Sequence, residues 1–469
     1  MNFTLYNTLK RSKESFRPLK DKHINMYVCG MTVYDYCHIG HARLLVAFDV
    51  ITRFLRAQGW QVNYVRNITD IDDKILNRAR ENGEAFESLS ERFIAAMHED
   101  EAKLNILRPD AEPRATAHIH EIIQLIEVLH TKDYAYRAEN GDVYYRVSKF
   151  ADYGKLSNKN SEELLAGARI AVEEQKHDPR DFVLWKSAKP GEVSWPSPWG
   201  PGRPGWHIEC SAMTKACLGE TMDIHGGGPD LPFPHHENEI AQSEAANGCT
   251  LANYWMHAGA VRIDGEKMSK SLNNFFTVRD VLKQYHPEIV RFLLVSCHYR
   301  SPINYSEENL LEAKTGLERF YFALRGYEKV APQNWQQLGE TEAGKKFIDA
   351  MSDDFNSRLA LVPMYELIRD INQLKASDNQ AAEQAVASLK AMGGILGILQ
   401  ADPNQVLQGS SASKQEGELS AADIEQMIEQ RHQAKLAKNY GLADQIREQL
   451  TAAGVVLEDS RSGTTWRRQ

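Results

Sequence analysis

Two short segments of the sequence carry side chains that suit the binding of phosphate groups. The first is Cys-His-Ile-Gly-His at residues 37–41, in which His38 and His41 flank Gly40. The segment lies where a predicted strand and loop lead into a helix, and a helix N-terminus presents N–H groups and a partial positive charge. Both imidazoles can donate hydrogen bonds to phosphoryl oxygens, and Gly40 lets a ligand approach the backbone. Taken alone, the segment suits a pair of surface or capping histidines equally well.

The second segment is Lys-Met-Ser-Lys-Ser at residues 267–271, preceded by Asp-Gly-Glu. Lys267 and Lys270 are three residues apart on a loop bordered by Gly265. Two ammonium groups in such a loop would neutralise the charge that develops as pyrophosphate leaves. A solvated surface turn is the alternative interpretation of a lysine-rich loop.

A third segment, His-His-Glu-Asn-Glu at residues 235–239, has the spacing of a metal site. Residues i and i+4 share one face of a helix, so His235 and Glu239 fit two corners of a tetrahedral zinc site. Cys29, at the end of the first predicted strand, and Cys210 are candidates for the other corners. Whether they reach the same pocket is not decided by the sequence, and an ordinary surface pair remains the alternative for His235 and Glu239.

A run of three glycines follows a predicted strand that ends at residue 225. Small residues at Gly226, Gly227 and Gly228 would let a nucleotide lie against the backbone, and Asp230 is placed to hold its ribose. A glycine-rich turn of this kind is weak support by itself.

Alternating strand and helix patterns predict the elements that position these segments. Short apolar strands at residues 25–29 and 61–68 enclose a helix at 40–57, in which apolar side chains recur at helical spacing. A further helix is predicted at residues 70–80, with Asp70 and Asp72 near its N-terminus. This order predicts a parallel sheet of the nucleotide-binding type. The predicted fold class is α/β: a Rossmann-like parallel-sheet catalytic domain with an inserted domain, then an α-helical bundle and a small C-terminal domain.

The remainder of the chain divides where the pattern changes. A helix at residues 116–130 and a hairpin at 134–147 interrupt the parallel pattern and predict the insertion. Residues 280–399 are almost purely helical, and the polar stretch 402–419 is rich in Gly, Ser and Gln, as in a linker.

Composition excludes several classes of protein. Of the 469 residues, 42% are hydrophobic and 25% charged, so disorder throughout is not expected. The net charge of −9 argues against a protein that coats nucleic acid indiscriminately. No window approaches the ~18 continuous apolar residues of a membrane helix, and residues 1–16 lack an apolar stretch of the signal-peptide type. The six cysteines form no CxxC pair. We therefore expect a cytoplasmic protein without disulfides or a membrane partner.

Together, the segments at 37–41 and 267–271 resemble the HIGH and KMSKS signatures of class I aminoacyl-tRNA synthetases in order and separation. Longer stretches make the chain similar, over essentially its whole length, to the cysteinyl-tRNA synthetase family. These stretches are residues 25–41, 66–74, 205–211, 223–230 and 233–242.

The resemblance implies roles for the residues that match the family. The residues corresponding to one zinc site, which recognises the thiol of the substrate, are Cys29, Cys210, His235 and Glu239. Those implied to act in catalysis are His38, His41, Lys267 and Lys270. Those implied to bind ATP, which is used with Mg²⁺, are Gly40, Gly226, Gly227, Gly228, Asp230 and Lys270. Those similar to positions lining the cysteine pocket are Thr69 and Trp206.

The implied partners are L-cysteine, ATP and tRNA(Cys), and the implied state is a monomer. The implied domains run in order as the first half of the catalytic domain, the connective insertion, the second half, the KMSKS loop with a stem-contact region, the helical bundle, the linker and the anticodon-binding domain. Their limits are residues 1–110, 111–200, 201–265, 266–315, 316–401, 402–419 and 420–469.

The sequence leaves two alternative functions open. A related cysteine ligase that acts on an amino sugar resembles the catalytic half of this family. A non-catalytic paralogue that binds zinc or RNA is the other alternative.

In the C-terminal tail, Trp466 beside two arginines is placed either to stack on an unpaired base or to anchor a frayed basic end. The chain also has Asn273 where family members commonly have glycine, which affects the expected flexibility of the KMSKS loop.

Overall fold

A computed structural model of the protein describes residues 3–159, 176–263, 266–267, 275–408, 419–460 and 463–468. The chain divides into two compact units. The first comprises Met1–Phe275, His298–Ile303 and Met351–Asn356. The second comprises Phe276–Cys297, Asn304–Ala350 and Ser357–Gln469. Among the described residues, no helix is both long enough and apolar enough to span a membrane.

The first unit opens with a hairpin and continues with alternating strands and helices. The elements are β1 (Thr4–Asn7), β2 (Ser12–Ser15), β3 (His23–Val28), α1 (Ile39–Ala57), β4 (Gln61–Arg66), α2 (Asp73–Asn82) and α3 (Phe86–Lys103). The insertion follows, as α4 (Ile119–Thr131), β5 (Ala135–Arg137), β6 (Val143–Tyr145), β7 (Phe182–Ser187) and β8 (Gly202–Pro204). The chain then returns through α5 (Trp206–Leu218), β9 (Met222–Gly227), α6 (Glu237–Asn247), β10 (Ala252–His257), β11 (Val261–Ile263) and β12 (Glu266–Lys267).

Four of these strands form the parallel sheet that the sequence predicts, in the order β10-β9-β3-β4. Every residue of β9 is buried, as expected for a strand covered on both faces. Helix α1 follows β3 and buries 13 of its 19 residues, so it lies inside the unit and not on its surface. The predicted α/β class is confirmed by this sheet.

The insertion forms an antiparallel sheet in the order β5-β6-β7-β8. The predicted hairpin is present, since Ala135 pairs with Tyr145 and Arg137 with Val143. Its core is formed by α4 and aromatic side chains such as Tyr145.

The beginning of α2 differs from the expectation that the helix starts at Asp70. Asp72 is the N-cap, and its side chain accepts a hydrogen bond from the Lys74 N–H. The Asp70 carboxylate accepts hydrogen bonds from the backbone N–H and the hydroxyl of Thr116 instead. A tertiary contact therefore delays the helix by three residues.

The second unit is mainly helical, and one short strand, β13 (Ile303–Tyr305), lies where the chain passes between the units. Its helices up to the linker are α7 (Val278–Leu282), α8 (Pro287–Val295), α9 (Glu307–Leu324), α10 (Trp335–Glu340), α11 (Glu342–Ser352), α12 (Ser357–Leu374), α13 (Asn379–Leu396) and α14 (Pro403–Leu407). The C-terminal region comprises α15 (Ala421–Leu436), α16 (Tyr440–Ala452), β14 (Val455–Ser460) and β15 (Gly463–Arg468).

The C-terminal region has its own apolar core, and Trp466 belongs to it. Trp466 is buried with Ile424, Leu450 and Val455, and its indole N–H donates to Glu425. The tail is the second strand of a hairpin and not a frayed end. A Trp466 ring held in this core cannot stack on a base, so that alternative is wrong.

Candidate active site

The candidate metal ligands meet where the connections of the parallel sheet diverge. From β3 the chain crosses through α1 to β4 on one side, and from β9 it crosses through α6 to β10 on the other. Ligands bind in open α/β sheets at the crevice formed at such a switch point, beyond the carboxyl ends of the strands. Cys29 follows β3 directly, and its N–H donates to the carbonyl of Gly226 at the end of β9.

Four buried side chains come together at this point, as ligands of one ion would. The Sγ atoms of Cys29 and Cys210 are 3.8 Å apart, and Cys29 Sγ lies 3.3 Å from Oε1 of Glu239. Nε2 of His235 is 3.1 Å from the same carboxylate oxygen. The ligand atoms of all four residues lie within 4.8 Å of one another. The structure thus brings together the complete candidate set.

These distances fit the edges of a tetrahedral zinc site. Bonds of about 2.3 Å to sulfur and about 2.0–2.2 Å to nitrogen or oxygen give tetrahedral edges of about 3.8 Å between two sulfurs and about 3.3–3.7 Å for the other pairs. Two thiolates, an imidazole and a carboxylate are also donors that zinc accepts. The residues present therefore fit the ion that the family resemblance implies.

Proximity strongly perturbs the pKa values of the four groups. Burial raises the pKa of the Cys29 thiol well above its usual value. The hydrogen bond from Cys29 lowers the pKa of Cys210 to about 6. Burial acts to lower the pKa of His235, but the neighbouring Cys210 and Glu239 outweigh it and raise that pKa to about 10. A thiol and an imidazolium each lose a proton when they bind a metal ion, so we expect metal binding at this site to release protons.

Four further histidines lie around the cluster, and the sequence analysis assigned a role to none of them. His225 Nε2 lies 2.8 Å from Oε2 of Glu239, the carboxylate oxygen that faces away from the cysteines. His207 contacts His235 through their Nδ1 atoms, at 2.9 Å. His236 and His257 form a second pair at 2.8 Å. Partners of this kind orient metal ligands. The only signal in the sequence that could have pointed to His225 is its position in a buried strand, β9. It is 14 residues from Glu239, so no helical or strand spacing links the two.

The two residues assigned to the substrate pocket lie in different environments. Trp206 is 40% exposed, and its ring centroid lies 4.3 Å from that of His235. It forms an aromatic wall beside the cluster. Thr69 is buried, and its hydroxyl accepts a hydrogen bond from Asn67 Nδ2 at 3.3 Å.

The two histidines of the first segment form a capping box at the N-terminus of helix α1. His38 is the N-cap, and its Nδ1 accepts from the His41 N–H at 3.1 Å. The His38 N–H donates to His41 Nδ1 at 3.3 Å, and the two rings stack with centroids 3.5 Å apart. An Nδ1 that accepts a hydrogen bond leaves the proton of a neutral imidazole on Nε2. The capping role and a phosphate-donor role are therefore compatible.

The remaining candidates lie around the same edge of the sheet. Gly40 is the second residue of α1. At Gly226 a Cβ atom would lie 2.2 Å from the Phe48 ring, and at Gly227 it would lie 2.5 Å from His236. These two glycines are needed for packing, whatever they contribute to a nucleotide site.

Of the polar candidates in this region, two lie within the described residues. Asp230, just beyond Gly228, is exposed. The backbone of Lys267 belongs to β12 and pairs with Arg262. Lys270 and Asn273 lie outside the described residues.

Comparison with known families gives three matches along the chain. Residues 15–315 match the family described as "tRNA synthetases class I (C) catalytic domain". Residues 346–400 match the "DALR domain". Residues 418–467 match the "Cysteinyl-tRNA ligase anticodon binding domain".

Relatives of known name and solved structures agree with these matches. The chain is 62% identical over 467 residues to a cysteine–tRNA ligase of Stutzerimonas stutzeri (strain A1501), a match covering 100% of this chain and 99% of that protein. A cysteine–tRNA ligase of Pseudomonas fluorescens (strain Pf0-1) is 61% identical over 464 residues, covering 99% of each protein.

Among solved structures, the Mycobacterium tuberculosis methionyl-tRNA synthetase with methionyl-adenylate has a TM-score of 0.57 at 16% identity. It covers 82% of this chain and 93% of its own. At this identity the likeness concerns the fold alone.

Proposed function

The chain belongs to the family of cysteine–tRNA ligases, and from this premise we propose that it activates L-cysteine with ATP and transfers it to the 3′ end of tRNA(Cys). The observation that carries the proposal is the buried set of two thiols, one imidazole and one carboxylate at the switch point of the sheet. Such a set is suited to recognise sulfur.

We propose that Cys29, Cys210, His235 and Glu239 hold one zinc ion. When bound, the ion would supply a position, additional to its four protein ligands, at which a thiolate is preferred to a hydroxyl. Cysteine and serine differ by one atom, and a pocket that reads size alone separates near-isosteres poorly. Trp206 would close the substrate side of this position, because its exposed ring lies beside His235. His225 would hold Glu239 in the orientation that the set requires.

The ATP side of the reaction is assigned to the two signature segments. In the first step the carboxylate of cysteine attacks the α-phosphate of ATP, which is used with Mg²⁺, and pyrophosphate leaves. His38 and His41 would donate hydrogen bonds from Nε2 to the phosphate oxygens, since their Nδ1 atoms accept within the cap. Lys267 and Lys270 would stabilise the departing pyrophosphate. In the second step a ribose hydroxyl of tRNA attacks the carbonyl of the adenylate, the ester bond to tRNA forms, and AMP leaves. Positioning and electrostatics supply the rate.

Gly40, the glycines at 226–228 and Asp230 are proposed to hold the adenosine of ATP. All of them lie at the carboxyl edge of the sheet or at the start of α1, where nucleotides bind in this fold class. The exposure of Asp230 leaves its carboxylate accessible to a ribose.

The two alternatives are less favoured. An amino-sugar ligase needs no anticodon-binding region, whereas residues 418–467 match one. A non-catalytic paralogue would be expected to lose signature residues, but His38, His41, Lys267 and Lys270 are all present. We propose that the enzyme works in the cytoplasm, where its tRNA is used, and as a monomer, because one chain supplies the whole ligand set.

The proposed function is tested by charging tRNA with labelled cysteine in the presence of ATP, with serine as the competitor. We expect cysteine to be esterified and serine not to be. Formation of cysteinyl-adenylate without charged tRNA would favour the amino-sugar ligase. Absence of both steps in zinc-loaded protein would favour the silent paralogue.

For the anticodon, we propose contact at the tip between α15 and α16. Tyr440 at this tip is 63% exposed, and Leu436 and Leu442 beside it are 65% and 44% exposed. An exposed aromatic ring next to Lys438 suits an unpaired base and its phosphate.

Replacing Tyr440 with alanine should raise the KM for tRNA about tenfold, since stacking on one base contributes roughly 1–3 kcal/mol. Cysteine-dependent ATP–pyrophosphate exchange should not change, because that reaction needs no tRNA. Tyr440→Phe is the matched control and should charge tRNA almost normally. Equal KM values for wild type and Tyr440→Ala would exclude a base contact at this position.

A further inference from the structure

Asn67 is a buried amide side chain that joins two loops at the carboxyl edge of the parallel sheet. It is 2% exposed and directly follows Arg66, the last residue of β4. Its Oδ1 atom accepts a hydrogen bond from the Gly30 N–H at 2.8 Å. Its Nδ2 atom donates to the hydroxyl of Thr69 at 3.3 Å. One side chain thus contacts the residue after the candidate ligand Cys29 and a residue that the family resemblance assigns to the cysteine pocket.

The contact lies where the ladder between β3 and β4 ends. The last paired residues of the two strands are Val28 and Arg66. Beyond this pair, the Asn67 side chain takes the place of a backbone carbonyl as the acceptor for the Gly30 N–H. An amide suits this position because it offers both an acceptor and a donor, as a peptide group does. A hydrocarbon side chain would leave the partly buried Gly30 N–H without this acceptor, which is unfavourable.

The two loops approach each other closely. A Cβ atom at Gly30 would lie 1.8 Å from the backbone carbonyl oxygen of Asn67, so no other residue fits there without a shift of the backbone. Further along, the Thr69 N–H donates to the Met31 carbonyl at 3.4 Å. The Val33 N–H donates to the Thr69 carbonyl at 3.1 Å. The loops after β3 and β4 therefore run side by side, and Asn67 supplies the side chain that bridges them.

The backbone that carries Asn67 is held from its other side as well. The Arg66 N–H donates to the Ala111 carbonyl at 3.1 Å, and the Ile68 N–H donates to the Pro113 carbonyl at 2.9 Å. The residues before and after Asn67 are thus fixed to a neighbouring segment. A group that positions a functional site needs such support, because its own orientation must be locked.

We propose that Asn67 is a positioning residue that fixes the Cys29–Gly30 backbone against Thr69, and so sets the place of the candidate metal ligand relative to the cysteine pocket. The inference rests on the proposed function, since it takes Cys29 as a ligand and cysteine as the substrate. The Cys29 N–H is bonded to Gly226 of β9, so the end of β3 is held from both flanking strands. Removal of one of these two contacts should displace the thiol from its partners.

The test compares Asn67→Ala, which removes both hydrogen bonds, with Asn63→Ala as the matched control. Asn63 lies on the same strand and its side chain also bonds to β3, at Asn25, but it is exposed. For Asn67→Ala we expect the KM for cysteine in ATP–pyrophosphate exchange to rise about 10- to 100-fold, the range for loss of a group that supports a metal ligand. The KM for ATP should stay near that of wild type, because neither hydrogen bond of Asn67 involves a residue assigned to ATP. Asn63→Ala should change neither value.

Metal binding gives a second readout that does not depend on turnover. In cobalt(II)-loaded protein without substrates, the absorption that arises from the thiolate ligands reports how Cys29 and Cys210 are held. We expect Asn67→Ala to alter this spectrum. The variant should also bind the metal about 10- to 100-fold more weakly in competition with a chelator. Asn63→Ala should match wild type in both measurements.

A purely structural role would lower the melting temperature and the amount of active enzyme. An unchanged KM for cysteine or an unchanged cobalt spectrum in the folded variant would indicate that role and overturn the proposal, as would equal increases in the KM values for cysteine and ATP. If Asn67→Ala does not fold, Asn67→Asp is judged by the same readouts, since it keeps the acceptor for Gly30 but when ionised cannot donate to Thr69. Failure of the wild-type enzyme to activate cysteine would instead refute the proposed function, and the metal readouts would then decide the role of Asn67.

Discussion

Replacing Cys210 with serine should remove stoichiometric zinc and reduce cysteine-dependent ATP–pyrophosphate exchange by about 100-fold or more. Residues that only support a metal ligand contribute about 10- to 100-fold to metal affinity or activity, so a ligand itself should contribute at least as much. A serine hydroxyl is also a poor metal ligand, because it stays protonated at neutral pH. The pKa of the Cys210 thiol, by contrast, is lowered to about 6, so its thiolate is available to a metal ion. The measurement is metal content per chain together with the exchange rate.

Cys249→Ser is the matched control for this variant. Cys249 is a partly exposed cysteine whose Sγ accepts a hydrogen bond from the Thr221 hydroxyl, outside the ligand set. It should keep its zinc and its activity. A Cys210→Ser protein with one zinc per chain and normal selection of cysteine over serine would refute the assigned ligand set.

The second large effect is expected at His38, where two roles can be separated by the choice of substitution. His38→Asn keeps a side chain that caps helix α1 but removes the imidazole. We expect adenylate formation to fall about 10²- to 10³-fold, as for the loss of one donor to a developing charge. The melting temperature should stay close to that of wild type, because the cap at the His41 N–H is preserved.

His38→Ala removes both roles. We expect the same loss of rate together with a loss of about 1 kcal/mol of stability from the missing cap, which lowers the melting temperature by about 2 °C. The two variants are compared by pre-steady-state adenylate formation and by thermal unfolding. If His38→Asn kept the wild-type rate, capping would be the whole contribution of His38.

Local patterns predicted those parts of the protein that depend on neighbours along the chain. The succession of strand, helix and strand predicted the parallel sheet, and the pattern at residues 134–147, with its Asn-Gly turn at 140–141, predicted the hairpin of the insertion. The predictions that were wrong concern residues whose contacts lie far away along the chain. Helix α2 starts late because Asp70 bonds Thr116, and Trp466 is buried because it packs against α15 and α16.

The candidate site divides in the same way. The i, i+4 spacing of His235 and Glu239 predicted that this pair meets, although His235 lies in a π-helical segment (Pro232–His236) just before α6 and not on α6 itself. The two signature segments were identified from the sequence by their residue types. Tertiary structure alone decided that Cys29 meets Cys210, 181 residues away, and Glu239, 210 residues away. It also decided that His225 contacts Glu239. Contacts across the crevice of a sheet depend on how strands are ordered, and no spacing along the chain encodes that order.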